Sequence, residues 1–244
     1  MISKNQIKYI RQLEMKKFRK REKCFVAEGP KVVGDLMKQY QPKAVFATDE
    51  WNQGDKIPVT EDELRRISFL QNPQQVLAIF PIPECDSDIP HDIHQLSLAL
   101  DGIQDPGNLG TIIRIADWFG IDTIYCSEDT ADAYNPKAVQ ATMGSLAHVH
   151  IIYTDLLRLF NSLPPSYPIY GTLLDGDAIY QQSLSREGII VMGNEGNGIS
   201  DAVRQRVNRR LLIPSFHQGD RAESLNVAIA TAITCSEFRR RDTQ

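Results

Sequence analysis

The sequence predicts an α/β protein in two parts: a small mixed layer over residues 1–82 and a larger parallel-sheet domain over residues 96–244, joined by a linker at 83–95. Three observations predict it. Short helical and extended segments alternate through residues 1–80, as in a small α/β layer. A proline-rich acidic stretch, PIPECDSDIPHD (Pro81–Asp92), then interrupts without any apolar period. From Leu96 the segments become longer, beginning with LSLALDGI (Leu96–Ile103), a continuous apolar run of the kind found in sheets covered on both faces.

In chain order, Asn5–Leu13 reads as a helix, Cys24–Gly29 as a strand and Lys31–Tyr40 as a helix. A strand at Lys43–Thr48, a helix at Glu61–Ile67 and a strand at Val76–Phe80 complete the first part. The second part opens with the strand at Leu96–Ile103 and a helix at Asn108–Gly120. There follow a strand at Thr123–Cys126, a helix at Lys137–Met143 and a strand at Val149–Ile152. Further strands are expected at Pro168–Leu174, Gly188–Gly193 and Arg210–Pro214, and a closing helix at about Ser224–Arg240.

Composition excludes several classes. Hydrophobic residues make up 42% and charged residues 24%, ordinary for a globular protein with a sizeable core. No apolar run reaches bilayer length, and the opening MISKNQIKYIRQLEMKK lacks the apolar region of a secretory signal. Cys24, Cys85, Cys126 and Cys235 are scattered without a CxxC pair, which argues against a zinc site and a disulfide framework. Cytoplasmic residence is the expectation. No metal is expected: His148 and His150 alternate on a strand, His91 and His94 fall in the linker, and only His217 lies in a loop of interest.

The charge is unevenly placed. Net charge is −4, yet residues 1–40 hold 11 Lys or Arg against 4 Asp or Glu, so the remainder is strongly acidic. The cations are densest at Lys16, Lys17, Arg19, Lys20, Arg21 and Lys23, and the first five are the expected RNA contacts. A run like this is commonly a solvated face, but its confinement to one end of an acidic chain points to a phosphate-binding arm.

Three turn-rich segments each leave the end of a strand and lead into a helix: Leu100–Ile121, Val191–Ser200 and Ile213–Ile233. In open α/β sheets, strand ends are where ligands bind. A dinucleotide fingerprint fails, because Asp201 stands where a third glycine should follow Gly196 and Gly198. GNLGTI likewise lacks the lysine of a phosphate-cradling loop. Asn108 near a helix start could be only a cap, Ser224 reads as the cap of LNVAIATAI, and Glu195 could be a surface turn or an ion-pair partner of Arg114. Asn226 falls inside an apolar helical face, where a buried amide needs partners.

Taken together, DPGNLGTIIR in the first segment, MGNEGNGIS in the second and the IP and SLNV elements of the third closely resemble the SpoU family of RNA ribose 2′-O-methyltransferases, within the SPOUT superfamily. The likeness covers roughly residues 96–240, and residues 1–80 resemble the family's ribosomal-protein-like substrate-binding domain. The third motif departs from the family pattern: Ser215 and Phe216 follow Ile213-Pro214, and the spacer His217–Glu223 is longer and charged.

The resemblance implies a trefoil-knotted catalytic domain, a homodimer formed through it, and S-adenosylmethionine as cofactor. It implies that Leu173, Met192, Gly193, Ile213 and Leu225 line the cofactor, and that Asn108, Arg114, Glu195, Ser224 and Asn226 serve the reaction. In the family the first-motif arginine is the proposed base. A guanidinium is permanently charged, so two other roles stay open: Arg114 is a fixed cation that holds the adjoining phosphate and the developing alkoxide, or a neighbouring phosphate relays the proton. The implied substrate is structured RNA, with 23S rRNA favoured over tRNA. A catalytically silent RNA-binding protein and, more distantly, a dinucleotide-dependent dehydrogenase are the other classes weighed.

Overall fold

The computed structural model describes residues 2–84, 94–217 and 224–240. By internal packing the chain divides into two units, Met1–Glu84 with Asp132–Ala147, and Cys85–Ala131 with His148–Gln244. The expected linker lies largely outside the described residues, as do residues 218–223 of the lengthened loop. Residues 132–147 pack with the first unit, although the sequence places them inside the second domain.

The first unit begins with α1 (Lys4–Gln12), closed by a capping box in which Ser3 and Gln6 satisfy each other's backbone donors. α2 (Lys16–Glu22), β1 (Cys24–Glu28), α3 (Pro30–Met37), β2 (Ala44–Ala47), β3 (Ile57–Pro58), α4 (Glu61–Ile67) and β4 (Val76–Pro81) follow. The sheet order is β1-β4-β2-β3, with β4 antiparallel to both neighbours and β3 parallel to β2. Ile10 and Leu13, beside the end of α1, pack with Leu64 and Ile67 of α4 against Val26, Phe46, Leu77 and Ile79 of the sheet.

The second unit starts with β5 (Leu96–Asp101), α5 (Pro106–Trp118) and β6 (Thr123–Cys126). The chain then enters the first unit as α6 (Pro136–Thr142) and a single 3₁₀ turn at Ser145–Ala147. It returns as β7 (His150–Tyr153), α7 (Leu156–Ser162), β8 (Ile169–Ala178), β9 (Gly188–Gly193), α8 (Asp201–Arg204), β10 (Arg209–Leu212) and α9 (Val227–Arg240).

These strands form one parallel sheet in the order β10-β8-β9-β5-β6-β7. β5 and β9 are central and buried along nearly their whole length. Ala99, Ile189 and Val191 face Leu156, Phe160 and Val203, and the alternating residues Leu98, Leu100 and Ile190 point to the opposite face. α5 and α9 pack against each other. The strand order reverses between β5 and β9, the position where open α/β sheets bind ligands.

One irregularity shapes the sheet's C-terminal edge. β10 pairs Arg210 with Gly171 and then Leu211 with Asp177, so residues 172–176 of β8 are passed over. Such insertions re-aim side chains and often sit beside active sites. Gly176 is obligatory at this crossing, since a Cβ there would lie 2.6 Å from the Leu211 carbonyl carbon. β8 therefore runs four residues beyond its expected end at Leu174.

Candidate active site

The loops after β5 and β9 are built from backbone hydrogen bonds and short polar side chains. Asp105, not Asn108, caps α5: its carboxylate accepts the Asn108 N–H at 2.9 Å, and Pro106 follows at the first helical position. After β9, Asn194 closes a tight hairpin through reciprocal backbone bonds with Gly198 at 2.9 Å. Its side-chain oxygen accepts from Gly196 and Asn197, and its amide donates to the Gly102 carbonyl at 2.6 Å. Gly193 must be glycine, because a Cβ would lie 2.3 Å from Gly198 and Ile199 backbone atoms. Asp101 at the end of β5 accepts the Ser200 N–H at 2.7 Å and holds the far side of the hairpin.

Glu195 stands at the hairpin's tip. Its carboxylate accepts the backbone N–H groups of Gln104 at 3.2 Å and Asp105 at 3.3 Å, and the Asn108 side-chain amide at 3.0 Å. Partial burial pushes this carboxyl up. The hydrogen bonds from Asn108, its own backbone, Gln104 and Asp105 outweigh that and leave it below the usual glutamate range. Asn108 in turn accepts from the Asn226 amide at 3.0 Å. All three turn-rich segments thus meet in one chain, Asn226 to Asn108 to Glu195.

Some expected roles change. Asn226 is exposed rather than buried, and it caps α9: its side-chain oxygen accepts from Ala228 at 3.0 Å and Ile229 at 3.3 Å. The helix starts at Val227, so capping belongs to Asn226 and not to Ser224, which is exposed in the preceding loop. Arg114 is exposed on α5, and its side chain makes no hydrogen bond or ion pair with another described residue. The expected Glu195–Arg114 pair is absent among the described residues, because Glu195 is engaged by the first loop instead.

The expected cofactor residues gather on β8 to β10 and the loop beyond. Met192 and Gly193 end β9, Leu173 lies in the passed-over stretch of β8, and Ile213 follows β10. Leu173 and Met192 are buried, while Leu225 is half exposed just before α9. Leu174 and Phe216 are strongly exposed on the same two segments. Thr172, also in the passed-over stretch, hydrogen-bonds the Val191 carbonyl and lies 3.5 Å from the Met192 sulfur. Among the described residues no group of three His, Cys, Asp or Glu is placed to hold a metal ion.

On the first unit, Lys16, Lys17, Lys20 and Arg21 are exposed on α2. Arg19 is the exception. It is 1% exposed, and its guanidinium is held by Asp132 and by the carbonyls of Leu13 and Glu14. A saturated buried guanidinium cannot reach a phosphate, so Arg19 leaves the expected RNA-contact set. Phe18, not anticipated, has the cationic groups of Lys17 and Arg21 at 5.1 Å and 4.7 Å from its ring centre. Gln104, Asp105 and Asn194 were also missed. An aspartate directly before a proline is a legible helix-start signal, and it would have found Asp105.

Fold and site define a parallel α/β enzyme-like domain with its polar network at the strand-order reversal, and comparison gives that class a family. The SpoU rRNA Methylase family matches residues 95–236, and an MRM3-like substrate binding domain matches residues 4–78. The chain belongs to the SpoU rRNA methylase family. It is 32% identical over 248 residues to the 23S rRNA (guanosine(2553)-2′-O)-methyltransferase RlmP of Bacillus subtilis (strain 168), covering 97% of each chain. A TrmH-family protein from Porphyromonas gingivalis has a TM-score of 0.87 at 41% identity over 99% of both chains. The AdoMet-bound rRNA methyltransferase from Sinorhizobium meliloti has a TM-score of 0.86 at 32% identity, over 99% of this chain and 97% of that one.

Proposed function

We propose that this protein transfers the methyl group of S-adenosylmethionine to a ribose 2′-hydroxyl of 23S rRNA. One observation carries the reading: the Asn226–Asn108–Glu195 chain fixes the three motif segments together while leaving the Arg114 guanidinium without a partner among the described residues.

The residues present fit the cofactor. An adenosyl group needs apolar walls with a few backbone donors and acceptors. Leu173, Met192 and Ile213 supply the walls, the passed-over backbone of β8 and the end of β9 at Gly193 supply polar groups, and Leu225 closes the set. When bound, S-adenosylmethionine supplies a methyl already activated by its sulfonium. The protein's task is then to orient the hydroxyl and exclude water, and orientation alone supplies about 7–11 kcal/mol of a barrier. Arg114 holds the phosphate beside the reactive ribose, that phosphate takes the hydroxyl proton, and the guanidinium stabilises the alkoxide as it forms; Asn108, Ser224 and Asn226 shape the surrounding loop. Lys16, Lys17, Lys20 and Arg21 grip the RNA backbone.

We place the enzyme in the cytoplasm, knotted as its family resemblance implies, and dimeric. Leu225 and Ile229 on or beside α9 and Trp118 on α5 are large apolar side chains left in solvent, 51%, 53% and 84% exposed, and a second copy would cover them. Sedimentation should give a dimer at micromolar concentration, and a fully active monomer would contradict it. Mapping ribose methylation in rRNA from cells with and without the gene tests the activity. Loss of one 23S rRNA methylation on deletion is the expected result, and an unchanged methylation map would refute the assignment.

A further inference from the structure

Taking the activity proposed above as given, we propose that Arg204 and Arg210, bracketed on Asp175, clamp one phosphate of the RNA strand beside the cofactor residues of the second unit. Every residue that builds this clamp lies in that unit. The unit carries 11 arginines and no lysine against 19 Asp or Glu, and four of the arginines fall within residues 204–210, a stretch without an acidic residue. Arg204 ends α8, and Arg209 and Arg210 open β10, the edge strand of the sheet. In an acidic unit, cations confined to one stretch mark a surface that meets an anion.

Asp175 lies in the passed-over stretch of β8 that also holds Leu173. One of its carboxylate oxygens accepts from the Arg204 guanidinium and, at 3.1 Å, from Nη1 of Arg210. Neither arginine side chain makes another hydrogen bond with a described residue, so each keeps most of its five donors for a ligand. The side chains of Arg204, Arg210 and Asp175 are 36%, 48% and 49% exposed, within reach of a ligand. The platform beneath them is fixed. Asn208 accepts the Ile169 N–H at 3.0 Å and donates to the Tyr167 carbonyl at 2.8 Å, which pins the turn before β10 to the start of β8. Val203 and Leu211 are buried on either side of that turn.

Two guanidiniums against one carboxylate leave a net positive charge, which one phosphate would neutralise. Surface ion pairs contribute little to stability, so the fold does not require this cluster. Holding both forks on a shared carboxylate reduces the freedom they lose when a ligand arrives. A guanidinium fork also matches phosphate oxygens in pairs, where an ammonium acts as a point charge. Leu174 beside Asp175 and Phe216 beyond β10 are strongly exposed. Large apolar side chains on the same segments as exposed arginines suit the sugars and bases of a strand better than a free anion. Phosphate contacts set the register of a strand, so the clamp positions RNA and takes no part in the methyl transfer.

The experiment uses the full-length protein and 23S rRNA transcribed in vitro. Arg204→Gln combined with Arg210→Gln should weaken RNA affinity about tenfold and flatten its salt dependence by about 0.7–0.9 log units, the value for one phosphate. The loss should fall on KM, with kcat at saturating RNA and S-adenosylhomocysteine affinity within about twofold of the parent. Arg204→Lys combined with Arg210→Lys keeps both charges and loses the forks, and should restore the salt slope and part of the affinity. A slope that the lysines do not restore overturns the proposal. An affinity and salt slope equal to the parent's in the first variant overturn it as well, and reduce the cluster to a charged guard on an edge strand. So does a loss of kcat or of S-adenosylhomocysteine affinity, since the cluster would then be propping the cofactor wall. A changed sedimentation with an unchanged salt slope would make this surface a contact between copies, which also overturns it. If the parent protein neither binds nor methylates this RNA, the proposed function itself fails, an outcome distinguishable from the others.

Discussion

Two arginines on two helices show how differently the same side chain is used in the two units. Arg19 on α2 is buried and saturated, with a carboxylate and two carbonyls as its acceptors. Arg114 on α5 is exposed and has no partner among the described residues. In sequence the first looks more like an RNA contact than the second, since it sits amid four other cations. A guanidinium offers five donors and no acceptor, so its role is decided by how many donors the fold has already satisfied. The saturated one organises protein, and the unsatisfied one is left for a ligand.

Substitution of each should break in opposite directions. Arg19→Ala should cost about 3–5 kcal/mol of folding stability, because it leaves the Asp132 carboxylate half of a buried pair without its partner. Chemical denaturation reads this directly, and a loss below about 1 kcal/mol would place Arg19 with ordinary surface cations. Arg114→Ala should leave stability nearly unchanged and lower kcat by at least about a hundredfold, with cofactor affinity preserved. Arg114→Lys sharpens the result: partial rescue indicates a simple fixed cation, and no rescue indicates two-pronged phosphate geometry. Methylation by Arg114→Ala at close to the parent rate would make Arg114 structural and erase the contrast.

The smallest effect is expected on α2's exposed face. Neutralising Lys16, Lys17, Lys20 and Arg21 together should weaken RNA binding and flatten its salt dependence by about 0.7–0.9 log units for each phosphate that the helix no longer neutralises. Stability should hardly move, in contrast to Arg19 on the same helix. A salt slope equal to the parent's would remove α2 from the interface.

Local order was legible because its causes are local. The strand at Leu96, the apolar core of Gly188–Gly193 and the alternation in the first unit follow from side-chain period, and the structure has them within a few residues. The order of the three turn-rich segments and their position at strand ends were legible too, and with them the family. Errors fell where two local signals compete. Ser224 and Asn226 are both good caps, and the sequence does not say which one the helix uses until Asn226 is seen accepting from Ala228 and Ile229.

What the chain alone determined is therefore which segments are strands, which loops carry chemistry, and which family they resemble. Tertiary structure decided the rest, for one physical reason: the deciding partners are far apart in sequence. Asn108 meets Glu195 across 87 residues and Asn226 across 118, and Arg19 meets Asp132 across 113. The skipped stretch of β8 arises the same way, from the path β10 takes beside it, which no periodicity in residues 169–178 encodes. A donor's neighbours in sequence set its conformation, but only the packed fold determines whether anything is left for it to bind.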